Sequence, residues 1–548
     1  MKKQYYFLFA SLLAMPAMAQ ETYENARLTG EDLNGTARYV GMGGALEALG
    51  ADISTIGSNP AGIGLFRHNT LSVSGGLLMQ GKGNEFANGK KTNASFDQIG
   101  GVYSTRTGRK SYLNFGFNYH KSKNFNYILN AANSLNGSSQ NGQSYLKGML
   151  GSEANGGFSV RQMKDGIYMG YVDDKSDNTS YSWSQTDYLY WNTVIPNPKA
   201  DPNGAKFFSY PAQNFMFDRS SKGYIGNYDF NISGNIKDRV FLGVTFGIKD
   251  VDYKGYSEYY ETLAPGKDGK SLGSIAMADE RRVSGTGFDV TAGVIVRPLD
   301  NSPFRLGAYV KSPTWYNLTT ENYTQILNNT TEGGTHDSGK ISNAYDFKIW
   351  TPWKFGFSLG HTVGNYLALG LSYEYEDHST INTRINDGVY YDYDSWYGYG
   401  DVYESTSADG YMNEHAEIAL KGVSTLKLGA EYKPTANLAL RIGYNYISPK
   451  YNAEAQKNPT LPSYGTSYSS ATDYTNWDAT NRFTCGIGYQ VKKFNIDLAY
   501  QYSSQKGEFY PFSNLSVEDG GQIHSNTATA TKVDKNHSQL LLTLGYHF

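Results

Sequence analysis

Short segments of this chain alternate apolar and polar residues, and this alternation limits the available folds more than any other feature of the sequence. In residues 438–446, Leu440 and Ile442 share one face, whereas Arg441 lies on the opposite face. Side chains of a β-strand alternate with a period of two, so the pattern predicts a strand with one oily and one polar face. Residues 494–502 and the C-terminal segment repeat it. Such strands are typical of a barrel that faces lipid outside and polar groups inside.

Fourteen segments of this kind are predicted, and the connections between them alternate between short turns and long loops. Short turns belong on the periplasmic side of such barrels and long loops outside, so both chain termini are expected in the periplasm. We therefore predict an all-β fold, a 14-stranded antiparallel transmembrane β-barrel over residues 70–548, whose largest extracellular loop is 122–223. The predicted strands span residues 70–80, 96–106, 111–121, 224–236, 239–251, 284–297, 303–312, 352–362, 365–376, 423–433, 437–446, 481–491, 494–503 and 538–548.

Composition excludes several functional classes. The net charge of -3 argues against a nucleic-acid partner, since proteins that bind nucleic acids are usually strongly basic. Beyond the N-terminus no run of about 20 apolar residues occurs, so a helical membrane protein is excluded. The chain has no phosphate-binding loop or nucleophile-elbow motif, and its 9 histidines lack metal-ligand spacing. We expect no enzymatic activity, no cofactor and no bound metal.

The N-terminus indicates the compartment. Two lysines precede an apolar stretch at residues 5–14, and residues 17–19 read Ala-Met-Ala, so residues 1–19 are predicted to be a secretory signal peptide. A secreted barrel of this kind is expected in the bacterial outer membrane, as a monomer among outer-membrane lipids. Residues 20–69 are rich in small residues and weakly charged, and we predict that they form a hatch, or plug, inside the barrel.

Charges of both signs fall on the predicted lumen face of the strands. An Arg or Lys that faced lipid at the membrane midplane would cost about 2–4 kcal/mol, so these groups are expected to point inward. Most of them are interpreted as ties between the wall and whatever fills the lumen. The main polar candidates on this face are Arg305, Lys427, Glu431, Arg441 and Asp497.

Motifs in both ends and in most strands of the chain carry a resemblance. They are GMGGA at 41–45, DISTI at 52–56, NPAG at 59–62, RP and FRLGAY within 285–313, LGAEY and LRIGY within 425–446, GIGY at 486–489 and DLAY at 497–500. In this order, on fourteen predicted strands, they resemble the outer-membrane FadL/TodX family of hydrophobic-compound transporters.

The resemblance implies a fourteen-stranded barrel closed by an N-terminal hatch. It implies passive uptake of hydrophobic small molecules, such as long-chain fatty acids or aromatic compounds, through a gate that opens when the hatch shifts. The aromatic terminal residue, Phe548, is expected to be recognised by the barrel-assembly machinery. The hatch and gating candidates are then Gly43, Gly44, Asn59, Pro60, Ala61 and Gly62.

The loop at 122–223 departs from the family pattern because of its length and its apolar clusters. Large exposed apolar clusters usually mark a binding site, although a loop cap packed on itself would explain them equally well. Two alternatives to hydrophobic uptake stay open: a surface-binding or adhesion barrel without transport, and a haem or porphyrin uptake barrel that uses a loop histidine. The loop residues proposed to capture ligand are Leu146, Met149, Trp183, Tyr188 and Trp191.

Overall fold

The computed structural model describes residues 21–149, 159–164, 168–171, 183–197, 199, 204, 206–393, 400–519 and 521–548. The predicted signal peptide lies outside the described residues, as do parts of the 122–223 loop. Within them, no helix has the length and apolar character needed to cross a bilayer.

The chain is mostly strand. The α-helices are α1 (Thr22–Leu28), α2 (Ala37–Gly41), α3 (Gln140–Met149), α4 (Gln185–Thr193), α5 (Gly410–Ala419) and α6 (Tyr464–Ser467), with 3-10 turns at Ile53–Gly57, Pro60–Leu65 and His378–Thr380. The strands are β1 (Thr70–Gln80), β2 (Thr92–Gly108), β3 (Ser111–Asn124), β4 (Tyr127–Ser134), β5 (Ser159–Gln162), β6 (Tyr168–Tyr171), β7 (Ala212–Ile236), β8 (Val240–Leu263), β9 (Gly273–Val296), β10 (Arg305–Lys311), β11 (Trp315–Thr330), β12 (Gly334–Asp337), β13 (Ile341–Trp350), β14 (Lys354–Val363), β15 (Leu367–Asp377), β16 (Asn382–Tyr393), β17 (Gly400–Ala408), β18 (Gly422–Tyr432), β19 (Leu438–Ile447), β20 (Tyr474–Val491), β21 (Phe494–Tyr510), β22 (Leu515–Asp519), β23 (Gln522–Asn526) and β24 (Thr531–His547).

Fourteen antiparallel strands form a closed barrel, as the alternation predicts. The ring closes because β1 pairs with both β2 and β24, the first and last strands of the barrel being neighbours. Around the ring the order is β1, β2, β3, β7, β8, β9, β10, β14, β15, β18, β19, β20, β21 and β24.

The outer face of the ring carries the predicted oily belt. Along β8 the side chains of Leu242, Phe246 and Ile248 are exposed, whereas Thr245 and Lys249 between them are buried. The same alternation holds on β24 and its neighbours. Because exposed apolar side chains in this arrangement match a lipid environment, the belt marks the membrane-spanning zone.

Several predicted long loops are instead continuations of the strands. Residues 252–283 were expected to be a loop, but β8 runs to Leu263 and β9 begins at Gly273. Above the belt Tyr253 and Tyr259 point inward and are buried, while Lys254 is exposed. The alternation therefore persists with its polarity reversed, and a search for outward apolar residues misses it.

Two neighbouring strands are interrupted at the same height. The break between β10 and β11 contains Pro313, and the break between β13 and β14 contains Pro352. A proline lacks the N–H that a strand needs for its ladder. The amide of Thr351 donates to the carbonyl of Thr314 at 3.1 Å, and the amide of Thr314 donates to Oγ1 of Thr351 at 2.8 Å, so the two breaks satisfy each other.

The N-terminal residues 21–66, here called the plug, are almost entirely buried among the strands. The helix α2 contacts β19, β20, β21 and β24, while the turn at Pro60–Leu65 contacts β7, β8 and β9. The plug therefore touches the wall on opposite sides of the ring. Within the described chain it forms no strand and joins no sheet.

Candidate functional site

Gly43 of the plug lies directly against Gly443 of the wall, so no side chain separates the two backbones at this contact. Gly43 has φ +63°, a conformation that L-residues rarely adopt, and a Cβ there would lie 2.9 Å from the backbone nitrogen of Tyr444. A Cβ on Gly443 of the wall would lie 2.3 Å from the nitrogen of Gly43. Gly44, with φ +83°, packs against Leu33 and Lys427. The two hatch glycines thus let the plug backbone lie directly on β18 and β19.

The Asn-Pro-Ala-Gly motif seats the other side of the plug. The side chain of Asn59 accepts from the amide of Ala61 and starts the 3-10 turn at Pro60. Its Nδ2 donates to the carbonyl of Val294 at 3.3 Å, and Oγ of Ser233 donates to the carbonyl of Pro60 at 2.8 Å.

Gly62 closes this motif. A Cβ at Gly62 would lie 2.4 Å from Oγ1 of Thr55, so the two 3-10 turns can pack only on a glycine. The six hatch candidates therefore lie at contacts within the plug or between the plug and the wall.

Four charged side chains form a chain from the plug into the wall. Arg38 of the plug contacts Glu431 at 3.1 Å, and Arg441 contacts the same carboxylate at 2.6 Å. Arg441 also contacts Asp497 at 2.5 Å. Since all three wall groups are buried, each charge is balanced by a partner rather than by water.

Lys427 and Arg305 bind the plug at two further places. Nζ of Lys427 donates to Glu47 at 2.7 Å and to Glu374 of the wall at 2.6 Å. Nη1 of Arg305 donates to the carbonyl of Leu49 at 2.5 Å. Three of the five lumen candidates, Arg305, Lys427 and Glu431, thus bond directly to the plug, and Arg441 and Asp497 are linked to it through Glu431.

A second set of plug carboxylates is not apparent from the sequence. Glu24 contacts Arg281 at 3.0 Å and Asp32 contacts Arg482 at 3.3 Å. Glu31 lies within 3.5 Å of three wall lysines, Lys249, Lys311 and Lys354. The sequence shows acidic residues in the N-terminal segment and lysines on the lumen face, and their opposite charges would have suggested such pairs. It does not show which acidic residue pairs with which basic residue.

Two cavities lie against the plug. The outer one measures about 350 Å³ and is lined by aromatic and charged residues of the plug and the upper wall. The inner one measures about 290 Å³ and lies against the ends of β18–β21, β24 and β1 that are joined by short turns. Tyr39 and Ser54 line the outer cavity, whereas Arg38 and Asp52 line the inner one.

The barrier between the cavities is one layer of plug residues held by hydrogen bonds. Oγ1 of Thr36 donates to the carboxylate of Asp52 at 2.8 Å, and the amide of Thr36 donates to Oγ of Ser54 at 2.8 Å.

The outer cavity is lined by both aromatic rings and cations. Tyr23 stacks on Tyr451 with ring centroids 5.1 Å apart and lies 5.0 Å from the ring of Tyr474. Lys450, in the loop after β19, donates to the carbonyls of Ala26 and Thr29 in the plug. Burial, with a smaller effect of Lys535 and Lys354, lowers the pKa of Lys450 to about 8, although Glu376 acts in the opposite direction.

The loop residues proposed for ligand capture form part of a packed cap. Trp183 and Trp191 are buried in an apolar cluster above the barrel, Tyr188 packs against it, and Leu146 is buried as well. Met149 ends α3. Indole Nε1 of Trp191 donates to the carbonyl of Ser144 at 2.9 Å. The three buried side chains could touch a ligand only if the cap opened, so their capture role stays a prediction.

The loop histidines considered for haem differ in their surroundings. His336 and His524 are exposed on outer strands. Both ring nitrogens of His415 have partners, Thr22 Oγ1 at 2.9 Å and the carbonyl of Gln456 at 3.0 Å. In the part of the chain that the structure describes, no cluster of three metal-ligating side chains was found.

Comparison with known proteins yields matches among solved structures alone. No family model matches the chain, and no curated protein does. A FadL homologue of Pseudomonas aeruginosa is 12% identical, with a TM-score of 0.46 over 97% of this chain and 100% of that one. The monoaromatic hydrocarbon channel CymD is 10% identical, with a TM-score of 0.43 over 95% and 99%. The toluene transporter TbuX of Ralstonia pickettii is 12% identical, with a TM-score of 0.43 over 94% and 99%.

Proposed function

We propose that the protein is an outer-membrane channel for passive entry of small hydrophobic molecules, and that the plug is its gate. The observation that carries this proposal is the pair of cavities on opposite sides of a single hydrogen-bonded layer at Thr36, Asp52 and Ser54. Here Ser54 lines the outer cavity, and Thr36 and Asp52, which are hydrogen-bonded to each other and, through the amide of Thr36, to Ser54, line the inner one.

The contacts between the plug and the wall are of kinds that allow the plug to move. Within the described residues they are side-chain hydrogen bonds, ion pairs, close backbone approaches, small apolar clusters and one backbone hydrogen bond from Asp32 to Ser122, without a shared ladder of strand hydrogen bonds. Breaking a buried ion pair is costly when one partner stays dry, but water that enters the lumen can replace the partner. The plug can therefore shift as a unit while the fourteen-stranded wall stays closed.

The aromatic residues that line the outer cavity favour binding of an apolar or partly apolar solute. Tyr23, Tyr451 and Tyr474 offer ring faces to the cavity, and Phe125 and Trp477 line it as well. Aromatic surface binds apolar groups by burial at about 25 cal/mol per Å², while the few polar groups set orientation.

The orientation follows from the two ends of the barrel. The start of β1 pairs with the end of β24, so Thr70 faces His547, and the amide of Phe548 donates to the carbonyl of Asn69 at 3.0 Å. We place this end, with its short turns, in the periplasm and the packed cap outside. The chain then works as a monomer in outer-membrane lipid, with Phe548 available to the assembly machinery.

A reversible cross-link tests the gate. Gly41 of the plug and Gly486 of the wall are so close that a Cβ on either would lie 3.3–3.4 Å from the Cα of the other, which suits a disulfide. The double variant G41C/G486C is made with Cys485→Ser, since Cys485 is a free thiol next to this position. Uptake of a radiolabelled long-chain fatty acid and of toluene is then measured in a bacterial host that lacks its own transporter.

We expect the oxidised double variant to be blocked and a reductant to restore uptake. The single variants G41C and G486C, treated identically, should transport in both states. Equal uptake by the oxidised and reduced double variant would refute a moving plug. Cells that show no protein-dependent uptake in either state would favour the surface-binding alternative.

A further inference from the structure

The short turns at one end of the barrel are strongly basic. These turns and the adjoining ends of the first and last strands comprise residues 66–69, 106–111, 236–240, 297–304, 363–367, 432–438, 490–495 and 546–548, all of which the structure describes. Two acidic side chains occur in them, Asp238 and Asp300, against ten lysines and arginines. The whole chain has a net charge of -3, so this excess of positive charge is a local property of one end. The ten cations, here called the basic rim, are Arg67, Arg106, Arg109, Lys110, Lys237, Arg239, Arg297, Lys433, Lys492 and Lys493.

Most of the basic rim has no anionic partner within the protein. All of its members except Arg297 are exposed. Asp238 pairs with Arg67 at 3.0 Å, and Asp300 pairs with Arg239 at 2.7 Å. Among the residues that the structure describes, the other eight cations of the rim form no ion pair with a carboxylate. These side chains are therefore available to an anion from outside the chain.

Exposed apolar side chains place the basic rim at the edge of the lipid belt. Ile236, Tyr432 and Phe494 each lie next to a rim cation in the sequence, and they are 50%, 49% and 58% exposed. They continue the outward apolar face of their strands. A long basic side chain at this position keeps its apolar stem in lipid while its charge reaches the headgroup layer. The cations of the rim thus lie at the height of the lipid headgroups.

The distribution of the basic rim matches lipid better than a folded partner. Its members lie before β1 and in the turns β2–β3, β7–β8, β9–β10, β18–β19 and β20–β21, so they extend around most of the barrel. A folded protein would contact one arc of this ring, whereas headgroups surround all of it. At the opposite edge of the belt the charges are mixed, since Asp250 and Asp252 follow Ile248 on β8 and Lys254 comes next.

We propose that the basic rim binds the phosphate groups of anionic phospholipids, of the phosphatidylglycerol type, in the leaflet next to the short turns. The phosphate supplies the negative charge that the turns lack. The acyl chains of the same lipid lie against the exposed apolar residues beside the rim. In the proposed orientation of the barrel this is the periplasmic leaflet. The selectivity for lipid does not depend on transport.

Electron spin resonance on the purified full chain in phosphatidylcholine bilayers tests the proposal. Spin-labelled phosphatidylglycerol is compared with spin-labelled phosphatidylcholine, because the spectrum separates lipid that contacts the protein from bulk lipid. We expect the protein to prefer phosphatidylglycerol by about threefold, since basic residues near the membrane surface attract anionic headgroups. Salt at about 1 M should abolish the preference, because the screening length falls to about 3 Å.

Variants locate the preference at the rim. The variant R109Q/K110Q/K492Q/K493Q neutralises two turns and should lower the preference to about 1.5-fold. The matched control K90Q/K267Q/K270Q/K506Q removes four exposed lysines at the end with the cap and should keep the threefold preference of the unaltered protein. Each variant is first checked for the heat-dependent gel shift of a folded barrel.

Several results would overturn the proposal. A preference near one in the unaltered protein would do so, as would an equal preference in the rim variant and the unaltered protein. Loss of the preference in the control alone would place the anionic lipid at the end with the cap, and an equal loss in both variants would assign it to overall charge. Binding to purified peptidoglycan is measured in parallel. If that binding needs the four rim residues and no lipid preference exists, the acidic wall polymer is the partner and the lipid proposal is wrong.

Discussion

The membrane zone of this barrel and the zone beyond it at the capped end, here called the cap zone, use the same strands with opposite polarity. In the membrane zone of β8, Phe246 and Ile248 face out while Thr245 and Lys249 face in. About 30 Å further along the strand, at about 3.3 Å per residue, Tyr259 and Leu263 face in and Glu258 faces out. The outside of the strand passes from lipid to water, so the face that must be apolar changes sides.

The interiors differ in what fills them. The membrane zone holds the plug, and its inner wall is joined to the plug by ion pairs such as Lys427–Glu47 and Arg38–Glu431. The cap zone holds an apolar cluster around Trp191, Tyr190 and Phe509. Ion pairs can be exchanged for water, whereas a close-packed apolar cluster loses both burial and contacts when it opens. The plug also buries apolar side chains such as Val40 and Leu46 against the wall, but its ion pairs lead us to expect that it is displaced more easily than the cap.

Removing the plug should have the largest effect. A chain without residues 22–66 leaves a barrel whose lumen is lined by charged side chains and open to water. We expect large, steady conductance steps in planar bilayers from the deleted form and a closed state for the full chain. If the deleted form conducts no better than the full chain, the cap closes the barrel and the contrast between the two zones fails.

Truncating a buried cap residue should unfold the upper zone while the lower one stays intact. Trp191 is fully buried, and Trp191→Ala removes its packing together with the bond to Ser144, at a cost of about 3–5 kcal/mol. Protease added to intact cells should then cleave the outer loops of the variant and spare the membrane zone. Trp353→Ala is the control, since Trp353 is 52% exposed and should stay resistant. Loss of the whole barrel in Trp191→Ala would show that the zones fold as one unit.

The cap should also be sensitive to pH. Glu261 is fully buried, and burial raises its pKa to about 7, although Tyr259, Asn141 and the amide of Gln140 donate hydrogen bonds to it. The folded cap holds the proton more tightly than the unfolded chain, so cap stability is highest below about pH 4.5 and falls as the pH rises to 7, by about 3 kcal/mol at most.

Thermal unfolding followed by tryptophan fluorescence at pH 5 and pH 7.5 measures this loss. Glu261→Gln keeps the side-chain shape but cannot ionise, so its unfolding temperature should change much less between the two pH values. An equal drop in both proteins would assign the pH dependence to other groups.

The smallest effect is expected from a single methyl group between plug and wall. In Gly370→Ala the new Cβ would lie 1.9 Å from the carbonyl oxygen of Ala45, so the plug must shift away from β15. Gly234→Ala on β7 is matched, because nothing lies within 4 Å of its Cβ. We expect a small rise in antibiotic leakage into cells for Gly370→Ala and none for Gly234→Ala. Equal leakage would mean that the plug contact at Gly370 does not help to seal the lumen.

The strands of the membrane zone could be predicted from the sequence. The strand predicted at 70–80 has those bounds in the structure, and Arg441, Glu431 and Asp497 face inward as the alternation predicts. The strand segments of the cap zone were missed because their outward face is polar and resembles a loop. The capture residues were judged exposed or self-packed from composition alone, and the structure buries Trp183 and Trp191 in the cap.

The contacts of the candidate site lay beyond the reach of sequence. Lys427 and Glu47 are separated by hundreds of residues, and nothing local marks them as partners. The same holds for Glu31, whose three lysines lie on three different strands.

The sequence by itself determined the number of strands, the face of each that meets lipid and the presence of a compact N-terminal segment. These are local properties, because the period of two and the solvent on each side of a strand act residue by residue. Only the tertiary structure decided which plug carboxylate meets which wall cation, that two proline breaks lie side by side, and that the outer loops pack into a cap. Those features depend on closure of the ring, which brings residues that are distant in the chain to the same height. Each buried charge then pairs with an opposite charge that the closed ring places nearby.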